Sequence, residues 1–213
     1  CSVLFLSFTF VYLYFYQADI LAVAQHVISN GTTHYNRTIG AVIITVTLWL
    51  IQLAIFSYTQ LRRRTYVLTF VPSLLLLGIL TDVSPQIDHE SYLGNWLWLF
   101  PLLMACYAGV LWVVRHFEPV ETAVNSVRLF SRTVWINLLQ LQLLFFMVCC
   151  IGCNDKVFHY RMRVENDMIS YNYRHATQVG ADALATDSSL TMLRIWALSE
   201  QNQLGERLFE YPL

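Results

Sequence analysis

Ile39–Tyr58 reads IGAVIITVTLWLIQLAIFSY and is followed, after Thr59-Gln60-Leu61, by Arg62-Arg63-Arg64. No charge lies inside the run, and its length matches the roughly 20 residues a helix needs to cross a hydrocarbon core about 30 Å thick. It also lacks the polar stripe expected of a helix packed in a water-soluble core. The three arginines cannot be drawn into the same helix, since each would cost about 2.5–3.5 kcal/mol at mid-bilayer. The stretch specifies a lipid-spanning helix with a charged stop.

Four further runs have the same character: about Cys1–Tyr16 (with a continuation towards Ile28), Tyr66–Leu80, Trp96–Val114 and Val134–Ile151. Pro72 lies within the third, where membrane helices tolerate it. Tyr12, Tyr14, Tyr16, Tyr58, Tyr66, Trp96 and Trp98 cluster at the run ends, the headgroup level that amphipathic rings prefer. The composition agrees. Of 213 residues, 56% are hydrophobic, 15% aromatic and only 13% charged, about half the charge of an ordinary soluble domain. Mean hydropathy is +0.49. The fold class expected is all-α: a polytopic membrane domain of about five spans over residues 1–153, then a small soluble helical region over 154–213. The lipid bilayer is thus the first partner, and a formal net charge of −1 gives no basis for a nucleic-acid partner.

Both ends look cut. The first residue is Cys1 rather than Met, and Cys1–Tyr16 would rise only about 24 Å as a helix, so residues are expected upstream, and more beyond Leu213.

Arginine placement sets an expected orientation. Arg62, Arg63 and Arg64 follow the second run, and Arg115, Arg128 and Arg132 lie between the fourth and fifth. The opposite loops hold only Arg37, with Asp82, Asp88 and Glu90. By the positive-inside rule the arginine-rich loops and the N-terminus are cytoplasmic, and the tail after Ile151 emerges on the far side. In that tail, Val157–Ser170 and Arg174–Ala185 read as helices. Asp187 or Ser188 caps a third, which carries Leu190, Leu193, Ile195, Trp196 and Ala197, with Gly205 as its stop. A short helix over Glu206–Tyr211 would end at Pro212. Sixty or so residues bury a marginal core.

Candidate chemistry is sparse. Cys150-Ile-Gly-Cys153 has the spacing of a redox pair or half a metal site; Cys149 adds a third thiol, and with no second such pair the cysteines read as structural. Gln17, Asp19 and His26 would matter if the first helix stayed at membrane depth; an interfacial Asp19 has no special role. His26 and His34 share a face of the membrane with Asp88, His89 and Glu90, which allows a carboxylate–histidine site, although solvated loops are the default reading. Asn30-Gly31-Thr32 and Asn36-Arg37-Thr38 match a glycosylation sequon of low specificity. Asn137, Gln140 and Gln142 in the last run read as interhelical hydrogen-bonding groups, or else as the lining of a substrate path. The stretch Arg115–Thr133 suits a surface helix with Val120, Val124 and Val127 on one side. P-loop, GxSxG, HExxH and DxD patterns are absent from the sequence. No residue is therefore assigned a catalytic, cofactor-binding or metal-binding role, and no cofactor is implied.

Two stretches carry a resemblance. Gln25-His26-Val27-Ile28-Ser29-Asn30-Gly31-Thr32-Thr33-His34-Tyr35 follows the first run. Leu193-Arg194-Ile195-Trp196-Ala197-Leu198 and Leu204-Gly205-Glu206-Arg207-Leu208-Phe209-Glu210-Tyr211-Pro212 lie near the end. Together they resemble a domain-of-unknown-function family of bacterial inner-membrane proteins, in which a multi-pass half precedes a periplasmic, tetratricopeptide-like helical region. The resemblance implies a periplasmic tail with further repeats, Leu204-Gly205 at a small-residue position and Tyr173 locking a helix pair. It implies no activity and no functional residues. The expected function is to present that region to protein or glycan partners. The alternative is a membrane-embedded enzyme or transporter acting on a lipid-linked or envelope substrate through Asp19, His34, His89 or the amides of the last run. A bare anchor is a third.

Overall fold

A computed structural model describes residues 1–29, 32–33, 35–61, 65–83, 95–117 and 132–211, and all the regular structure among them is helical. The chain divides into two compact units. Unit 1 comprises Cys1–Gln17 and Asn36–Cys153; unit 2 comprises Ala18–Tyr35 and Asn154–Leu213. Residues 18–35, which in sequence look like an extension of the first span and its loop, group with the tail.

Unit 1 holds α1 (Ser2–Val11) running into a π-helical turn (Tyr12–Tyr16), α3 (Arg37–Thr59), a 3-10 turn (Tyr66–Phe70) continued by α4 (Val71–Thr81), α5 (Trp96–Phe117) and α6 (Arg132–Ile151). Helices α3, α5 and α6 are long and apolar enough to cross a membrane. A fourth span results if Ser2–Tyr16 and Ala18–His26 are counted together across their break. The segment expected at 66–80 is shorter: eleven residues of α4 on a five-residue 3-10 turn rise about 26 Å. It is also the most enclosed part of the unit. Pro72, Ser73, Leu74, Leu77, Gly78 and Thr81 are buried, and α4 packs on α3, α5 and α6. Helix α5, by contrast, buries only Tyr107, whose hydroxyl donates to the Leu68 carbonyl at 3.0 Å. Its apolar surface, Trp98 and Trp112 included, faces outward, as lipid permits.

Each end of α3 is specified locally. The Asn36 side chain accepts from the Thr38 and Ile39 amides at 3.1 and 3.2 Å, a side-chain N-cap. Gln60, left-handed at φ 46°, closes the other end. Aromatic stacking joins α1 to α6 through Phe8 and Phe145, with ring centroids 4.0 Å apart.

Unit 2 consists of α2 (Ala18–Ile28), α7 (Lys156–Ile169), α8 (Tyr173–Gln178), α9 (Ser188–Glu200) and α10 (Leu204–Arg207), which leads into a 3-10 turn (Leu208–Glu210). Helix α2 packs on α7, and α7, α8 and α9 pack on one another. Val164, Met168, Ala176, Val179, Leu190 and Ala197 form the core. Asp187 caps α9 as expected, accepting from the Leu190 amide at 2.6 Å. Two expectations fail. The helix predicted over 174–185 stops at Gln178, because Gly180 takes a left-handed φ of 60° and a Cβ there would meet the Tyr160 ring at 2.8 Å. Gly205 is no stop: α9 ends at Glu200, with Asn202 left-handed at φ 57°, and Gly205 lies inside α10.

Candidate functional site

Four helix ends of unit 1, at Gln17, Arg37, Thr81 and Cys153, come together in a polar cluster. Gln17 N–H donates to the Tyr12 carbonyl at 3.0 Å, the i to i−5 bond of a π turn, a feature frequent at functional sites. The side chain of Gln17 is completely buried. Its Nε2 donates to the Tyr12 hydroxyl at 3.1 Å and to the Cys153 carbonyl at 3.3 Å. Thr81, last residue of α4, gives its carbonyl to the Cys153 amide at 2.9 Å. Gly152 lies beneath: a Cβ there would collide with the Tyr12 hydroxyl and sit 3.0 Å from Thr81 Oγ1. Arg37, at the start of α3, closes the group. Its Nε donates to the Tyr14 carbonyl, and its guanidinium lies 4.9 Å from the Tyr14 ring centroid. A cation thus satisfies carbonyls freed at the end of the π turn. Gln17 Oε1 is buried with no hydrogen-bond partner among the described residues.

A second buried glutamine lies on α3. Gln52 Nε2 donates to Tyr66 Oη at 3.3 Å and to Thr69 Oγ1 at 3.1 Å, and the Tyr66 hydroxyl is 3.1 Å from Ser2 Oγ. The start of the Tyr66–Thr81 element therefore lies beside the start of α1, and its end beside Gln17 at the end of α1. These amide and hydroxyl bonds tie helices together in an apolar medium at roughly 0.6–2 kcal/mol apiece.

In unit 2 the unusual group is Arg194, in the middle of α9 and only 2% exposed. Its Nη2 donates to the carbonyls of Gly180 at 2.8 Å and Val179 at 3.3 Å, and Tyr211 covers it, with the ring centroid 5.3 Å from Cζ. Nε and Nη1 are buried with no hydrogen-bond partner among the described residues. Burial pulls its pKa below the ordinary arginine value, and Tyr211 and Tyr160 act weakly the other way.

The candidates from sequence are scattered. Asp19 is half-buried in the first turn of α2 and His26 exposed at its end, both in unit 2. His34, Asp88, His89, Glu90, Asn30, Gly31 and Arg62–Arg64 lie outside the described residues, as does most of the loop with Val120, Val124 and Val127. Asn137 is buried on α6 whereas Gln140 and Gln142 are exposed, so these amides do not converge on one path. The five cysteines form no disulfide among the described residues; Cys150 is exposed and Cys153 buried. Among the described residues, no group of three or more histidine, cysteine or acidic side chains is placed to hold a metal. Sequence reasoning passed over Gln52 and Arg194. Arg194 carried a signal: at helical spacing it shares a face with Leu190, Ala197 and Leu198. No family model, curated protein or solved structure matches the chain.

Proposed function

We propose that this chain is a multi-pass protein of the bacterial inner membrane that crosses the bilayer five times and presents unit 2 in the periplasm as a helical interaction region for a protein or glycan. One observation carries the reading: unit 2 is assembled from two stretches, 18–35 and 154–211, separated by the hydrophobic helices of unit 1. A compact water-facing unit lies on one side of a bilayer, so the chain between its two stretches crosses an even number of times. Helices α3, α5 and α6 make three; the Tyr66–Thr81 element supplies the fourth. Its position supports this, since it runs from the level of Ser2 to the level of Gln17. Its rise of about 26 Å falls a little short of a 30 Å core, a mismatch that local bilayer thinning accommodates at fractions of a kcal/mol per Å. Helix α1 with its π turn is then the first span, and Arg62–Arg64, Arg115 and Arg132 fall on the side opposite to unit 2, as the positive-inside rule demands of the cytoplasm. The bacterial and periplasmic assignments rest on the family resemblance of the quoted stretches.

The test is complementation of a strain lacking the gene. Alanine at Asp19, His34 and His89 is expected to restore the wild-type phenotype, whereas Leu190→Asp, which puts a charge into the core of unit 2, is not. The reverse pattern would favour a membrane-embedded enzyme or transporter acting on a lipid-linked or envelope substrate.

A further inference from the structure

Arginine is almost never fully buried without a partner, and a guanidinium has five N–H donors in a planar fork. In Arg194 the Nη2 donors reach two backbone carbonyls, while those on Nε and Nη1 reach no acceptor among the described residues. Among the described residues no carboxylate lies within ion-pair distance of it; Asp187, Asp167 and Glu210 are engaged by Arg161, His175 and Arg207. The platform beneath it is fixed. Gly180 can hold its left-handed turn against the Tyr160 ring only because it lacks a Cβ, and that turn aims both carbonyls at α9. The cover is slighter: Tyr211 follows a three-residue 3-10 turn and is tied back by a 3.4 Å bond to the Leu208 carbonyl.

We propose that Arg194 anchors a carboxylate-recognition site, closed by Tyr211 in the free chain, whose ligand is an aspartate or glutamate side chain of a partner protein. This rests on reading unit 2 as an interaction region, and it chooses protein over glycan. A buried guanidinium under one aromatic ring admits a slender carboxylate once that ring swings aside, whereas a carboxylate borne on a sugar ring needs far more room. With both Nη2 hydrogens taken by the backbone, Nε–H and the Nη1 donors lie on different edges of the guanidinium, and each offers a single charge-assisted bond to a carboxylate oxygen.

The experiment uses the full chain in detergent micelles and follows the Arg194 Nε–H resonance by NMR at constant pH and ionic strength. Propionate stands for the acidic side chain, propionamide is the uncharged control, and glucuronate is the glycan probe. Propionate is expected to give a saturable shift that propionamide, chloride and glucuronate do not. Tyr211→Ala should bind propionate several-fold more tightly, because a site that is closed most of the time loses apparent affinity in proportion. Arg194→Lys keeps the charge but loses the Nε–H and Nη1 donors, and should weaken binding at least several-fold, read from propionate-induced shifts of backbone amides around Gly180. A response to chloride equal to that with propionate, glucuronate bound in preference, no saturable response, or Tyr211→Ala no tighter than wild type would each overturn the proposal. If propionate fails while Leu190→Asp abolishes complementation, the site falls and the interaction region survives. If propionate binds and Leu190→Asp complements, the reverse holds.

Discussion

Replacing Gly152 with alanine puts a methyl group where the Tyr12 hydroxyl now lies, 3.0 Å from Thr81 Oγ1 and 3.4 Å from Gln17 Nε2. The tyrosine cannot easily retreat. It is buried, and its ring stacks on Phe8 at 5.6 Å and Tyr16 at 6.2 Å. Overpacking of this kind costs about 1–3 kcal/mol. Displacing the hydroxyl also breaks the Gln17–Tyr12 bond, worth about 0.6 kcal/mol or somewhat more in a membrane protein. Gly152→Ala should therefore destabilise unit 1 by about 2–3 kcal/mol. Tyr12→Phe removes the obstructing oxygen and by itself forfeits only hydrogen bonds, about 1 kcal/mol. The double variant should be more stable than the sum of the singles implies, with a coupling of about 1 kcal/mol or more. Equilibrium unfolding of the full chain in mixed micelles, titrated with a denaturing detergent, measures all three. Additivity within about 0.5 kcal/mol would refute the steric argument.

Arg37→Met strips the cation from the end of the π turn and should cost about 1 kcal/mol in the same assay, with Arg37→Lys recovering part of it; no loss would mean that water satisfies those carbonyls. Gln52→Leu removes two hydrogen bonds together with a buried, unpartnered Oε1, so it should lie within about 1 kcal/mol of wild type, while Gln52→Ala adds a cavity and should cost about 2 kcal/mol or more. Gly180→Ala forces a side chain into a left-handed turn against the Tyr160 ring and should destabilise unit 2 by about 2–4 kcal/mol. Limited proteolysis within residues 154–211 reports it, and cleavage at the wild-type rate would contradict the packing described.

What the sequence made legible follows from the strength of its local signals. The runs that became α3, α5 and α6 carry an uninterrupted apolar pattern, and Asp187 carries its capping rule in its side chain. Apolar content alone did not reveal that Tyr66–Phe70 would tighten into a 3-10 turn and leave α4 short. A helix predicted through Ala185 ignored Gly180, the residue that breaks it. The hydrogen bonds of Gln17, singled out only for its depth, and of Gln52, passed over altogether, were hidden because their partners, Cys153 for one and Tyr66 and Thr69 for the other, come from other elements. Nothing in residues 18–35 announces that they pack with residues more than a hundred positions later; that pairing is set by tertiary contact. Arg194 was masked by its neighbours Leu193 and Ile195, which invite the reading of an arginine turned to solvent.

In the proposed topology, apolar helices thread the bilayer an odd number of times and leave unit 2 and the arginine-rich loops on opposite faces. Single cysteines at Ser199, exposed near the end of α9, and at Arg63, on a background without the native cysteines, test it with a membrane-impermeant maleimide. Ser199→Cys should be labelled in intact cells and Arg63→Cys only after permeabilisation. Labelling of Arg63→Cys in intact cells would contradict the account.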